Sequence, residues 1–180
     1  MKALVPIAYG SESLEAVMLI NVLRRAGVRV TVASTEPELA VIGTRDITLT
    51  ADVLFKDIAD VAFDLIVLPG GEQGSVNLGK HGPLIEKLRQ QRIDKKWYAA
   101  ICAAPALALS PNGLLDGKQA TCYPSFKDKL LHFVDQPIVV DGHCITAQGP
   151  ATALPFALKL VEVLCGEDKR KLVAQGMLVP

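Results

Sequence analysis

Continuous apolar runs alternate along the chain with segments of helical period, and that alternation leaves few architectures open. Residues 4–8 form a buried-strand run, and Gly10-Ser11 follows as a turn with Ser11 placed to cap a helix. Leu14, Val17, Met18, Ile20 and Leu23 then keep helical spacing up to Arg24-Arg25-Ala26-Gly27, where basic residues followed by glycine stop the helix. Residues 28–33 read as the next strand, so residues 4–33 make one βαβ unit. Residues 47–50 read as a short strand beside it, 57–62 as a helical turn, and 64–68 as a buried strand ending at Pro69-Gly70-Gly71. Two helical pieces are expected over 74–92, broken at Gly82-Pro83. A central strand over 97–101 runs into a helix over 104–109. Short strands at 138–140 and 144–147 flank the turn Asp141-Gly142. A helix over 152–164 ends at Gly166, and a last short one covers 169–174.

Apolar strands alternating with helices imply a mostly parallel central sheet covered on both faces. The economical solution is an α/β, flavodoxin-like three-layer sandwich, with all of residues 1–180 in one domain. Half of the residues are hydrophobic, which supplies a large core, and 19 basic residues balance 19 acidic ones. Such a balance leaves no electrostatic footprint for nucleic acid. No apolar run is long enough to span a bilayer, and no signal region precedes the first strand, so no membrane partner and a cytoplasmic location are expected. Cys102, Cys122, Cys144 and Cys165 are widely spaced without CxxC pairs, and are expected as free thiols. His81, His132 and His143 do not stand at metal-ligand spacing to any of them, so no metal site is expected.

In such folds the site lies at the C-terminal ends of the strands. Three segments collect there: Tyr9-Gly10-Ser11-Glu12, Pro69-Gly70-Gly71-Glu72, and Cys102. Cys102 sits between the strand over 97–101 and a helix whose first turn holds Pro105, a cysteine version of the nucleophile elbow. A helix N-terminus favours thiolate over thiol, although a small buried cysteine fits the same pattern. An attacking thiolate needs N–H donors for the oxyanion, and Ala103 and Gly71 are placed to supply them, with Gly70 shaping the turn. Pro69-Gly70-Gly71 can equally serve only to turn the chain. Glu12 and Glu15 fall in the first turn of the first helix, where an acid complements the dipole. A carboxyl buried beside a thiol would instead stay protonated and act as a general acid or base. No histidine adjoins Cys102, and neither a Walker P-loop nor a GxGxxG run is present, so no nucleotide cofactor is expected.

Several blocks together resemble the ThiJ/PfpI superfamily, specifically its DJ-one branch, which holds the parkinsonism-associated deglycase and its bacterial relatives. They are Gly10-Ser11-Glu12-Ser13-Leu14-Glu15, Arg24-Arg25-Ala26-Gly27-Val28, Thr44-Arg45-Asp46, Val67-Leu68-Pro69-Gly70-Gly71, Asn77-Leu78, Ala100-Ile101-Cys102-Ala103, Lys127-Asp128-Lys129 and Gln148-Gly149-Pro150-Ala151-Thr152. The resemblance implies that Cys102 is the reactive, oxidisable cysteine. It implies that Glu15 is the protonated glutamate touching the sulfur, with Gly71 and Ala103 as oxyanion donors. Arg45, and Arg25 from a partner subunit, then line the entrance, together with Gly70, Tyr123, Gly149 and Pro150, in a homodimer built through the first helix. Relatives often carry histidine where this chain has Tyr123. A phenol is a poor base at neutral pH, so a Cys–His dyad is not expected, and Ala103 argues against the protease members.

The resemblance implies a cofactor-independent enzyme of glyoxalase or deglycase type, acting on a small aldehyde or a glycated protein. The alternative from another class is a redox-sensing, chaperone-like protein whose Cys102 oxidises to sulfinic acid. A catalytically silent binding domain of the same fold is a third reading.

Overall fold

The computed structural model describes residues 1–179; Pro180 lies outside them. Along the chain run β1 (Lys2–Ile7), α1 (Ser13–Arg25), β2 (Arg29–Ser34), β3 (Ala40–Ile42), β4 (Thr48–Thr50), β5 (Val53–Leu54), β6 (Leu65–Leu68), α2 (Glu72–Lys80), α3 (Gly82–Ile93), β7 (Trp97–Ile101), β8 (Ile138–Asp141), β9 (Cys144–Ala147), α4 (Ala153–Cys165) and α5 (Glu167–Gly176). Seven strands form one sheet in the order β5-β2-β1-β6-β7-β9-β8. All pairs in it are parallel except the β8–β9 hairpin at one edge. The flavodoxin-like α/β sandwich read from the sequence is the fold observed.

Strand side chains alternate between two cores, as the two-residue period of a pleated strand requires. Ala3, Val5, Ile7, Leu65, Val67, Ala99 and Ile101 face α1, α4 and α5. Leu4, Ile66, Leu68, Tyr98 and Ala100 face α2, α3 and the chain that follows Cys102. The helices meet the sheet with matching apolar stripes. On α1 the buried positions are Ser13, Glu15, Ala16, Leu19, Val22 and Leu23, and the helix stops where Gly27 takes a φ of 81°. Glu15 is thus a carboxylic acid on an apolar stripe.

Three local expectations are corrected. Glu12, not Ser11, caps α1: its side chain accepts the N–H of Leu14 at 3.3 Å, while Ser11 Oγ turns back to accept the N–H of Ala8 at 3.0 Å. The strand expected over 47–50 is not part of the main sheet. It pairs antiparallel with β3 in a separate two-stranded hairpin, because Thr44 at the hairpin tip is tied to the β1–α1 loop through its N–H on Ser11 O at 2.9 Å. The helix expected after Cys102 is a five-residue π-helical turn, Pro105–Leu109, followed by a 3-10 turn over Ser110–Asn112. Here α2 presses its backbone onto that turn. A Cβ at Gly79 would lie 2.8 Å from the Leu107 carbonyl oxygen, so α2 could not sit this close with any larger residue.

Phe156 on α4 is fully buried in the core beneath β1 and β7. Phe156→Ala is expected to cost about 3–5 kcal/mol in urea unfolding. Arg24→Ala, which breaks a half-exposed ion pair with Asp52 at 2.9 Å, is expected to cost under about 1 kcal/mol.

Candidate active site

Three loops at the carboxyl ends of β1, β6 and β7 meet around one sulfur. Cys102 follows β7 directly and takes a φ of 63°, a left-handed conformation that non-glycine residues rarely adopt. The peptides on both sides of it are fixed. Its N–H donates to Ala147 O at the end of β9 (2.9 Å), and its carbonyl accepts the N–H of Tyr123 (2.7 Å). Strain of this kind, about 1–3 kcal/mol, persists where the surroundings over-determine it.

The turn after β6 supplies the opposing wall. Gly70 donates its N–H to Glu15 Oε2 at 2.7 Å and accepts the N–H of Glu12 at 2.9 Å. A Cβ on Gly70 would overlap that of Cys102 and lie 2.6 Å from Glu15 Oε2, so only glycine fits between acid and thiol. Gly71 takes a φ of 83° and starts α2; a side chain there would collide with Gly10 O and Glu12 N. The backbone N–H groups of Gly71 and Ala103 both act on the Cys102 sulfur. Both N–H groups pull the thiol down, against the effect of burial.

Glu15 is fully buried, and its Oε1 has no hydrogen-bond partner among the described residues. Burial is the main cause that pushes its carboxyl up to about 7; the Gly70 N–H pulls it down, and Glu12 adds to the rise. Burial likewise pushes the Cys102 thiol up to about 12, with the neighbouring Glu15 charge second and the Gly71 and Ala103 N–H groups opposing. Acid and thiol do not carry charge together, since each anion would raise the cost of the other. The expectation of a thiolate held by a helix dipole is therefore corrected. The turn after Cys102 is too short to carry one, and the opposing pull comes from two backbone amides.

A cleft of about 670 Å³ opens above the sulfur. Gly71, Cys102, Ala103, Arg45, Tyr123 and Pro150 line it, as expected. Gly70 and Gly149, also expected at the entrance, do not line it: Gly70 is buried between Cys102 and Glu15, and Gly149 stands behind Tyr123, its added Cβ 3.3 Å from the Tyr123 ring. Arg25 does not reach the cleft within this chain: it lies on the outer face of α1 with its Nε on Asn21 Oδ1 at 2.8 Å. The lining also includes Ile42, Thr44, Asp46, Ser125 and Phe126; Thr44 and Asp46 flank Arg45 in a block that carries the family resemblance, but none of the five was expected at the site. They come from the β3–β4 hairpin tip and from a 3-10 turn over Pro124–Lys129, neither of which carries a periodic signal. Arg45 and Asp46 are both left-handed, with φ of 58° and 57°. Cys122 is fully buried in the core on the α2–α3 face, whereas Cys102 packs against the α1–α4 core, and both are free thiols. Among the described residues no group of three or more His, Cys, Asp and Glu could hold a metal ion, and no helix is long and apolar enough to cross a membrane.

The titration of Glu15 reports on stability. Its folded value of about 7 lies above the 4.5 of a free carboxyl, so folding holds the proton. That contribution is complete at low pH and is lost as pH rises through about 7. The melting temperature of Glu15→Gln, relative to wild type, is expected to rise from below pH 4.5 to above pH 7. The gain is equivalent to roughly 3 kcal/mol; a pH-independent difference would show that Glu15 titrates as a free acid.

A model of the DJ-1/PfpI family matches residues 1–163. Protein DJ-1 homolog B of Arabidopsis thaliana is 46% identical over 171 residues, 93% of this chain and 39% of that protein, so the chain spans about two-fifths of its length. The Caenorhabditis elegans protein named glutathione-independent glyoxalase DJR-1.2 is 35% identical over 165 residues, 88% of this chain and 86% of that protein. The solved structure of oxidized Toxoplasma gondii DJ-1 is 38% identical, superposes with a TM-score of 0.97, and is matched over 98% of this chain and 97% of its own. Sequence along most of the chain and backbone through all its layers agree, and the chain belongs to the DJ-1/PfpI family.

Proposed function

We propose that this protein is a cofactor-independent enzyme of glyoxalase or deglycase type, acting through Cys102 on reactive dicarbonyls or their early protein adducts. The observation that carries the reading is the placement of a fully buried Glu15 against Cys102 across Gly70, whose N–H donates to Glu15 Oε2 at 2.7 Å. A carboxyl near 7 is matched to moving protons at neutral pH. The name of the Caenorhabditis elegans relative, a glutathione-independent glyoxalase, points the same way.

For methylglyoxal the steps balance without a redox partner. The Cys102 sulfur adds to the aldehyde carbon while its proton passes to the Glu15 carboxylate. The new oxyanion is held by the Gly71 and Ala103 amides and is then protonated, giving a hemithioacetal. Glu15, again a carboxylate, removes the hydrogen on the former aldehyde carbon, and that proton returns to the neighbouring carbon. The product is a thioester of lactic acid, which water hydrolyses to lactate and free thiol. With an early protein adduct, R–CO–CH(OH)–X–protein, the Cys102 sulfur bonds to the carbinol carbon as the bond from that carbon to the side-chain atom X breaks; X leaves with the proton that passed from the thiol to Glu15, giving the same hemithioacetal, and the same later steps follow. The internal transfer of a proton from Cys102 to Glu15 produces the nucleophile without adding charge to the site.

A second reading, redox sensing at Cys102, is favoured by the oxidized state named for the Toxoplasma gondii structure. The same amides and the protonated Glu15 would hold a sulfinate. A homodimer through α1 would cover Leu14 and Val17, which are 52% and 49% exposed, and could bring Arg25 of a second copy to the entrance.

Lactate release from methylglyoxal tests the main reading. Cys102→Ala is expected to lose turnover, and full activity in that variant rejects the mechanism. Glu15→Gln is expected to fall by about 10²–10⁴-fold. Wild-type kcat/KM should increase with pH through about 7, because the base form of Glu15 is the carboxylate.

A further inference from the structure

The floor of the cleft is narrow, but its mouth is not. A volume of about 670 Å³ lies within the range of about 300–1,000 Å³ in which proteins bury ligands of drug size. A three-carbon aldehyde seated at Cys102 leaves most of that space unfilled. Tyr9, Tyr123 and Phe126 line the remainder. Tyr9 is 55% and Tyr123 44% exposed, and neither hydroxyl makes a hydrogen bond among the described residues. Tyr123 and Phe126 form a tilted ring pair with centroids 6.4 Å apart, and Phe126 is only partly packed on the core. Three acids line the same mouth: Glu12 caps α1, Glu72 sits in the first turn of α2, and Asp46 stands next to Arg45 at the tip of the β3–β4 hairpin. The aromatic faces have no such employment.

We propose that Tyr123 and Phe126 form a specificity wall that binds the substituent of the substrate, so that 2-oxoaldehydes bearing an aryl group are preferred to methylglyoxal. The proposal rests on the glyoxalase reading above and adds the class of substituent to it. An aryl group next to the reacting aldehyde extends the Tyr123–Phe126 pair into a three-ring cluster, and tilted or offset rings attract beyond the area they bury. The wall stands in fixed relation to the chemistry, because the Tyr123 N–H is bonded to the Cys102 carbonyl at 2.7 Å. Its contribution comes from the ring faces, so the phenol oxygen is dispensable. Neither ring touches the reacting carbons, and the effect falls on KM rather than on kcat.

Steady-state kinetics with phenylglyoxal and methylglyoxal test this, alongside a binding measurement that needs no turnover. Wild type is expected to show a KM for phenylglyoxal about tenfold lower than for methylglyoxal. Tyr123→Phe keeps that ratio, while Tyr123→Ala and Phe126→Ala erase it. No preference in wild type, or a preference that survives both alanine variants, overturns the proposal. In Cys102→Ala, NMR titration with the corresponding hydroxy acids should show mandelate binding about tenfold tighter than lactate, an advantage lost on adding Tyr123→Ala. If neither aldehyde is turned over by wild type but mandelate binding depends on Tyr123, the glyoxalase reading falls and the aromatic wall stands. If mandelate binds no tighter than lactate, the wall falls whatever the rates.

Discussion

The hydrogen bond from the Gly70 amide to the Glu15 carboxyl, 2.7 Å long and closed to solvent, is the contact on which the rest of the site depends. It joins the first turn of α1 to the end of β6, and it requires a backbone that approaches without a side chain. Gly70 therefore brings an acid and a thiol to the same small volume from two distant parts of the chain. Burial then sets their chemistry. A lone buried carboxyl or thiol resists ionisation; placed together, each anion makes the other harder to form, so burial and proximity both raise the Cys102 thiol and burial raises the Glu15 carboxyl.

The fold makes this arrangement affordable. β1, β6 and β7 are neighbours near the middle of a parallel sheet and are covered on both faces, so the loops at their carboxyl ends start from rigid positions. The left-handed Cys102 is held by bonds to β9 and to the segment carrying Tyr123. An acid on the core-facing stripe of α1 destabilises the folded state near neutral pH, a cost natural proteins accept at reactive sites. The compensating burial is extensive: nearly every residue of β1, β6 and β7 is inaccessible.

Much of this was legible in the sequence, for physical reasons that also explain the failures. Long strands buried on both faces read as continuous apolar runs, so β1, β2, β6 and β7 were found within a residue or two. Cys102 was found because strand pattern and turn meet at it. Glu15 was ambiguous, since an acid in a first helical turn is ordinary; its position four residues before Leu19, on the buried stripe, is the signal that separates it from Glu12. Ser11 and Glu12 both carry a group able to cap, and only the closed loop decides that Ser11 bonds backward to Ala8. The two-residue β5 and the three-residue β3 are too short to leave a period, and β4, which was read as a strand, is too exposed for its pattern to say which sheet it joins. The left-handed tip at Arg45 and Asp46 carries no periodic signal; the family resemblance placed Arg45 at the entrance, and only the closed fold brings Asp46 there beside it. The π-helical turn after Cys102 packs against α2 at Gly79, a tertiary contact that no local pattern records.

The amide of Tyr123 and the carbonyl of Cys102 share a hydrogen bond, and this has an evolutionary corollary. The segment that presents an aromatic ring to incoming molecules is the same one that braces the strained nucleophile. Insertions or deletions between the π-helical turn and Pro124 would disturb reactivity along with selectivity. Divergence at this edge of the cleft is confined to exchanging side chains on an unchanging main chain, and one residue type at position 123 can replace another while the elbow beneath it keeps its shape.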